Sequence, residues 1–97
     1  MSSDARPPRA IHHNEAAHRF EWTVDGQLCV LDYTLTGTVA AYTHTGVPDA
    51  VGGRGIAADL VRTGLDTARA RGWQVRSLCS YVDAFIQRHP GYQDLLD

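Results

Sequence analysis

The sequence predicts a small α/β (α+β) domain, in which a mixed, mostly antiparallel sheet of about four to five strands carries one long helix and a short C-terminal helix. Three observations carry this expectation. Between Arg19 and Thr45 apolar residues recur at alternate positions, the period of half-buried strands. From Gly55 the spacing lengthens to that of a helix with one buried face. After Gly72 the chain returns to β-forming residues in "WQVRSLCSYV".

Residues 1–10, with Pro7 and Pro8 and little apolar content, read as a flexible leader, and the domain runs over residues 11–97. "RFEWTV" alternates Phe20, Trp22 and Val24 with Glu21 and Thr23. Asp25 and Gly26 follow, a strong hairpin signal because both residue types tolerate positive φ. The return strand "QLCVLDYTL" puts Cys29, Leu31, Tyr33 and Leu35 on one face. After a turn at Gly37, "TVAAYTHT" sets Val39, Ala41 and Thr43 against Ala40, Tyr42 and His44, which completes an antiparallel meander. In the helix, Ile56, Leu60, Gly64 and Ala68 form the buried stripe, while Asp59 with Arg62 and Asp66 with Arg69 form i,i+3 pairs on the polar side. Arg69 and Arg71 suit the negative end of the helix dipole, and Gly72 supplies the stop. "WQVRSLCSYV" is then a strand reaching Val82, returned parallel by the helical crossover. The short helix "DAFIQRH" ends before Pro90, where His89, Pro90 and Tyr92 fix the last turn. Trp22 and Trp73 read as packing residues.

Bulk composition narrows the function. At 97 residues with 43% apolar content, the chain can bury one modest core. All nine basic residues are arginines, and against eleven acidic ones they leave a net charge of −2. That balance argues against nucleic acid as a partner. No apolar run approaches the roughly 20 residues of a membrane span, so a cytoplasmic protein without membrane attachment is expected, either a monomer or a weak homodimer. Cys29 and Cys79 belong to no metal or redox pair and are expected as free thiols, Cys79 on a strand. His12, His13 and His18 lack an acidic or cysteine partner at ligand spacing, so they read as solvated and no metal is expected.

The most informative stretch is "VPDAVGGRGIAADLV". Gly52, Gly53 and Gly55 lie at a helix mouth, where unpaired N–H groups and a partial positive charge favour a phosphate, and Arg54 adds a cation. The plain alternative is a turn that needs positive φ and nothing more. A P-loop is excluded, because no Gly-Lys followed by Ser or Thr is present. A dinucleotide fingerprint fails at its third glycine, where Ala58 stands.

The same stretch resembles motif A of the GNAT superfamily of acyl-CoA-dependent N-acyltransferases, in which a strand leads into an (R/Q)-x-x-G-x-(G/A) loop and a long helix. Gly53, Arg54 and Gly55 match G-x-G, whereas the Arg or Gln expected three residues earlier is Ala50. "HHNEAAHRFEWTVDG", "THTGVP" and "LCSYVDAFIQRHPGYQDLL" are similar to the small single-domain branch of that superfamily, the YjdJ-type or NATD1-like proteins, and the similarity spans Ile11 to the C-terminus. The resemblance implies a truncated GNAT fold that transfers acetyl from acetyl-CoA to a primary amine. It implies a coenzyme site formed by Thr45, Val47, Gly52, Gly53, Arg54, Gly55, Ile56, Ala57 and Cys79. The thioester is then expected between the strand ending "AYTHT" and the strand "VRSLCSY".

Transfer to a lysine-like amine requires a neutral amine, although its ammonium form titrates near about pH 10.4. His44 is the candidate base, because imidazole exchanges protons near neutral pH. Cys79 is the candidate acyl-accepting nucleophile or a thiol lining the acetyl pocket, and Tyr81 the candidate acid. Full-length members of the superfamily that the sequence resembles wall the acceptor site with an N-terminal helical pair, which this chain is too short to hold. An open acceptor side is therefore expected, which favours a protein lysine or a polyamine. Two rivals remain: a coenzyme A binding module with little activity, and a structural domain whose glycines only turn the chain.

Overall fold

Alternation in the first half of the chain becomes a continuous antiparallel sheet. The computed structural model describes residues 9–97, so residues 1–8, most of the expected leader, lie outside the described residues. Strands β2 (Arg19–Val24), β3 (Gln27–Thr36) and β4 (Val39–Gly46) pair antiparallel in sequence order. Asp25 and Gly26 turn the first hairpin with φ of 51° and 73°, the two positive values that a twist-matched two-residue turn requires. A strand not anticipated, β1 (His12–Asn14), adds to β2 at the sheet edge. Its three residues are too few to show a period.

Helix α1 (Ile56–Arg71) ends at Gly72, whose φ of 71° lets its N–H reach the carbonyls of Ala68 and Arg69. Strand β5 (Gln74–Ser77) then pairs parallel with β4, giving the order β1-β2-β3-β4-β5. Here the structure corrects the sequence reading. The strand stops at Ser77, and helix α2 (Ser80–Arg88) already contains Tyr81 and Val82, with Cys79 as its N-cap. Val82, Phe85 and Ile86 explain the shift, since at helical spacing they bury one face, which an extended strand could not do.

Both helices cover one sheet face. Leu60, Leu65 and Ala68 of α1 and Val82, Phe85 and Ile86 of α2 pack with Phe20, Leu31, Tyr42 and Val75 of the sheet. Helix α1 comes close to the sheet at Gly64, where a Cβ would stand 2.8 Å from the Leu31 side chain. Its carbonyl accepts a 2.6 Å hydrogen bond from the Tyr42 hydroxyl, and burial pushes that hydroxyl's pKa well up. One helix pair differs from expectation. Arg62 lies 4.0 Å from Asp59, but Arg69 bonds Asp94 at 2.8 Å, and Asp66 instead accepts from the Tyr92 hydroxyl at 2.8 Å. These longer-range contacts tie the segment after α2 to α1. A short 3-10 turn over Pro90–Leu95 then brings Leu96 into a parallel bridge with Val75.

Candidate functional site

Two helix mouths make the site, and that of α1 carries no side-chain cap. At the first, β4 runs out through Val47 and Pro48 into a 3-10 turn at Asp49–Val51, closed by Gly52 N–H donating to the Asp49 carbonyl at 3.1 Å. Gly53 and Gly55 then adopt φ of 75° and 78°, values that L side chains resist. The N–H groups from Gly53 to Ala58 find no acceptor among the described residues, and Asp59 is the first to donate back, to the Gly55 carbonyl. Gly53 to Ile56 line a cleft of about 670 Å³ together with Arg9, Trp22 and Val24. Nothing lies within 4 Å of a Cβ built on Gly53, so space as well as donors is available to an anion. The Arg54 guanidinium turns toward the hairpin, 3.0 Å from the Asp25 carboxylate. The cation beside the helix mouth is Arg9, bonded to the Arg54 carbonyl at 2.7 Å and paired with Asp59.

The second mouth lies where β4 and β5 part. Their ladder ends with Leu78 N–H donating to the Tyr42 carbonyl, whereas β4 stays paired with β3 as far as Gly46. One edge of β4 beyond Tyr42 is therefore released. The cause is a bulge: Tyr33 opposes Tyr42 and Asp32 opposes His44, leaving Thr43 as an extra residue. After the bulge Thr45 opposes the buried Leu31 and faces the helices, and its hydroxyl meets the Cys79 sulfur at 3.4 Å across the gap. Partial burial alone would raise the Cys79 thiol. Hydrogen bonds from the Thr45 hydroxyl and from backbone N–H groups of Val82, Tyr81 and Thr45 outweigh burial and hold the thiol below its ordinary range. Cys29, fully buried and without such donors, is pushed up by burial.

The sequence candidates thus separate. Thr45 and Cys79 come together, and Val47 packs against the core between the two mouths. Gly52, Gly53, Arg54, Gly55, Ile56 and Ala57 form the loop and first turn of the other mouth. Tyr81 is half-exposed in the first turn of α2, two residues beyond Cys79. His44 does not share the Tyr42 face: the bulge turns it to the open side of the sheet, beside Gly46 and Val30. His13 is not solvated either. Its ring stacks on Phe20 at 4.2 Å and meets the Tyr33 hydroxyl at 2.7 Å, and burial lowers its pKa. Among the described residues no three His, Cys, Asp or Glu side chains are gathered as metal ligands. Arg9 was missed by sequence reasoning, because its contacts reach 45 and 50 residues along the chain and leave no local signal.

A mostly antiparallel sheet that opens between its parallel pair, with a glycine-mouthed helix joining the two parting strands, is the arrangement of a small GNAT-type fold. Residues 19–95 match the family described as GCN5-related N-acetyl-transferase, and the chain belongs to that family. Protein NATD1 of Bos taurus is 30% identical over 86 residues, covering 86% of this chain and 76% of the relative. Protein NATD1 of Homo sapiens is 29% identical with the same coverage. A Staphylococcus aureus protein described as GCN5-like, solved by NMR, superposes with a TM-score of 0.72 at 23% identity, over 95% of this chain and 91% of its own.

Proposed function

We propose that this protein binds acetyl-CoA and transfers its acetyl group to a primary amine, by way of Cys79. The observation that carries the reading is the pairing of an uncapped, glycine-lined helix mouth with a thiol held in a strand gap. Helix N-termini bind phosphates through free N–H groups, and Gly53 to Ala58 supply them here. The freed edge of β4 from Thr43 to Gly46 leads from one mouth to the other, and an extended pantetheine arm would pair with it as an added strand does. When bound, acetyl-CoA supplies an activated acyl thioester.

The chain's own part begins with the Cys79 thiolate, stabilised by the Thr45 hydroxyl and the first N–H groups of α2. Cys79 attacks the acetyl carbonyl, and the bond from that carbon to the coenzyme sulfur breaks. The departing thiolate takes a proton from the Tyr81 hydroxyl or from water. A neutral amine then attacks the cysteine thioester, its surplus proton passes to Tyr81 or solvent, and the Cys79 thiolate is restored. His44 serves as base only for an amine arriving across the open sheet face, where the bulge has turned it. Tyr81 and Leu78 stand exposed beside Cys79, which suits an acceptor presented by a protein lysine or a polyamine.

Calorimetric titration with acetyl-CoA, coenzyme A and dephospho-coenzyme A tests the reading. Saturable binding near one per chain is expected for all three. No binding at millimolar coenzyme would overturn it and would leave the glycines as turn residues.

A further inference from the structure

We propose that Arg9 is a coenzyme-binding residue: from outside the glycine loop, its guanidinium supplies the cation that meets the diphosphate at the mouth of α1. The inference rests on the coenzyme reading above and adds to it a residue that lies ahead of the matched 19–95 region.

Three observations converge. The loop itself is short of charge. Its expected cationic or amide side chain three residues before Gly53 is replaced by Ala50, which leaves Arg54, 3.0 Å from the Asp25 carboxylate, as the loop's own cation. Arg9 fills that deficit in space. It lines the same cleft as Gly53, Gly55 and Ile56, and its Nη1 is 4.0 Å from the position a Cβ on Gly55 would occupy.

Arg9 is also held there before any ligand arrives. One guanidinium nitrogen donates to the Arg54 carbonyl at 2.7 Å, and the other pairs with Asp59 in the first turn of α1. The Arg9 side chain is only 18% exposed. Just beyond it, Ile11 donates its N–H to the Arg9 carbonyl at 3.0 Å and packs against the core, fixing the base of the segment. A guanidinium carries more N–H donors than these two contacts use, and its planar fork suits phosphate oxygens. Asp59 helps to hold Arg9 but also places a negative charge near the phosphate site. The bond to the Arg54 carbonyl keeps the guanidinium in place without that charge, so neutralising Asp59 should not harm anion binding.

That opposition supplies the test. Coenzyme A is titrated into wild type, Arg9→Gln, Arg9→Lys and Asp59→Asn at two salt concentrations. Arg9→Gln should weaken binding about tenfold, the effect of losing one charge-assisted contact, and should flatten the salt dependence. Arg9→Lys should recover part of the affinity, and Asp59→Asn should bind as tightly as wild type or more tightly. If wild type binds and Arg9→Gln binds equally well, this inference fails while the coenzyme reading stands. If Arg9→Gln and Asp59→Asn weaken binding alike, Arg9 only fastens the N-terminal segment to α1, and the inference again fails. If wild type itself does not bind, the coenzyme reading falls first and takes the inference with it.

Discussion

The two helices of this domain begin in opposite ways. Helix α1 opens on Gly55 in the left-handed region, with bare N–H groups facing a cleft and a cation beside them. Helix α2 opens on Cys79 in an extended conformation, with φ of −122° and ψ of 128°, and its first N–H groups turn on the cap's own sulfur. The same physical resource, a helix end with unpaired donors, is spent differently. On the function proposed above, one mouth would take its anion from solution, whereas the other favours the thiolate of a residue built into the chain.

Substitutions that silence one mouth while sparing the other put that contrast to work. The largest effect is expected from Cys79→Ala, which should lower acetyl transfer about a thousandfold, roughly 4 kcal/mol of barrier, while leaving coenzyme affinity nearly intact. Steady-state turnover beside calorimetry reads both, and unchanged turnover would exclude the nucleophile. Next is Gly53→Val. Because nothing crowds its Cβ, the change strains the positive φ without breaking the fold, and coenzyme affinity should fall about a hundredfold, roughly 2.7 kcal/mol. Thermal melting together with titration separates lost binding from lost folding. Equal affinity would mean that the loop does not hold the diphosphate.

The smallest effect concerns the second mouth alone. Thiolate forms as pH rises, so a thiol held below its ordinary range should be alkylated by iodoacetamide with a midpoint under that of an unperturbed cysteine. Thr45→Val keeps the shape but removes the hydroxyl donor, and the midpoint should move upward. An unmoved midpoint would assign the whole shift to the backbone N–H groups of Thr45, Tyr81 and Val82.

How far the sequence foretold this follows from the range of each signal. The meander from β2 to β4 and the buried stripe of α1 were legible because alternation, Asp25-Gly26 and four-residue spacing are local patterns. The glycine mouth was legible for the same reason. The junction at Cys79 was not, since Leu78, Cys79 and Tyr81 suit a strand locally and only the packing of Val82, Phe85 and Ile86 draws Ser80 into a helix. Nor was the pairing of Thr45 with Cys79 legible as a contact, although both residues were expected near the coenzyme. It depends on a bulge that no residue type in β4 announces. Arg9 lay furthest from view, because an ion pair across 50 positions has no signature in sequence.

Thr43 offers the last lesson. Its hydroxyl donates to the Asp32 carbonyl at 3.3 Å, and its place in the ladder makes it a supernumerary residue. In terms of the strand's two-beat rhythm it acts as a phase shifter. Upstream, even-numbered residues such as Ala40 and Tyr42 point inward; downstream, the odd-numbered Thr45 does. Were Thr43 paired in step instead of bulged, His44 would be carried under the helices and Thr45 out to the bare side; deleting it would restore the beat and leave both where they are. The chemistry available at the gap is thus encoded by how the residues pair as well as by their kind.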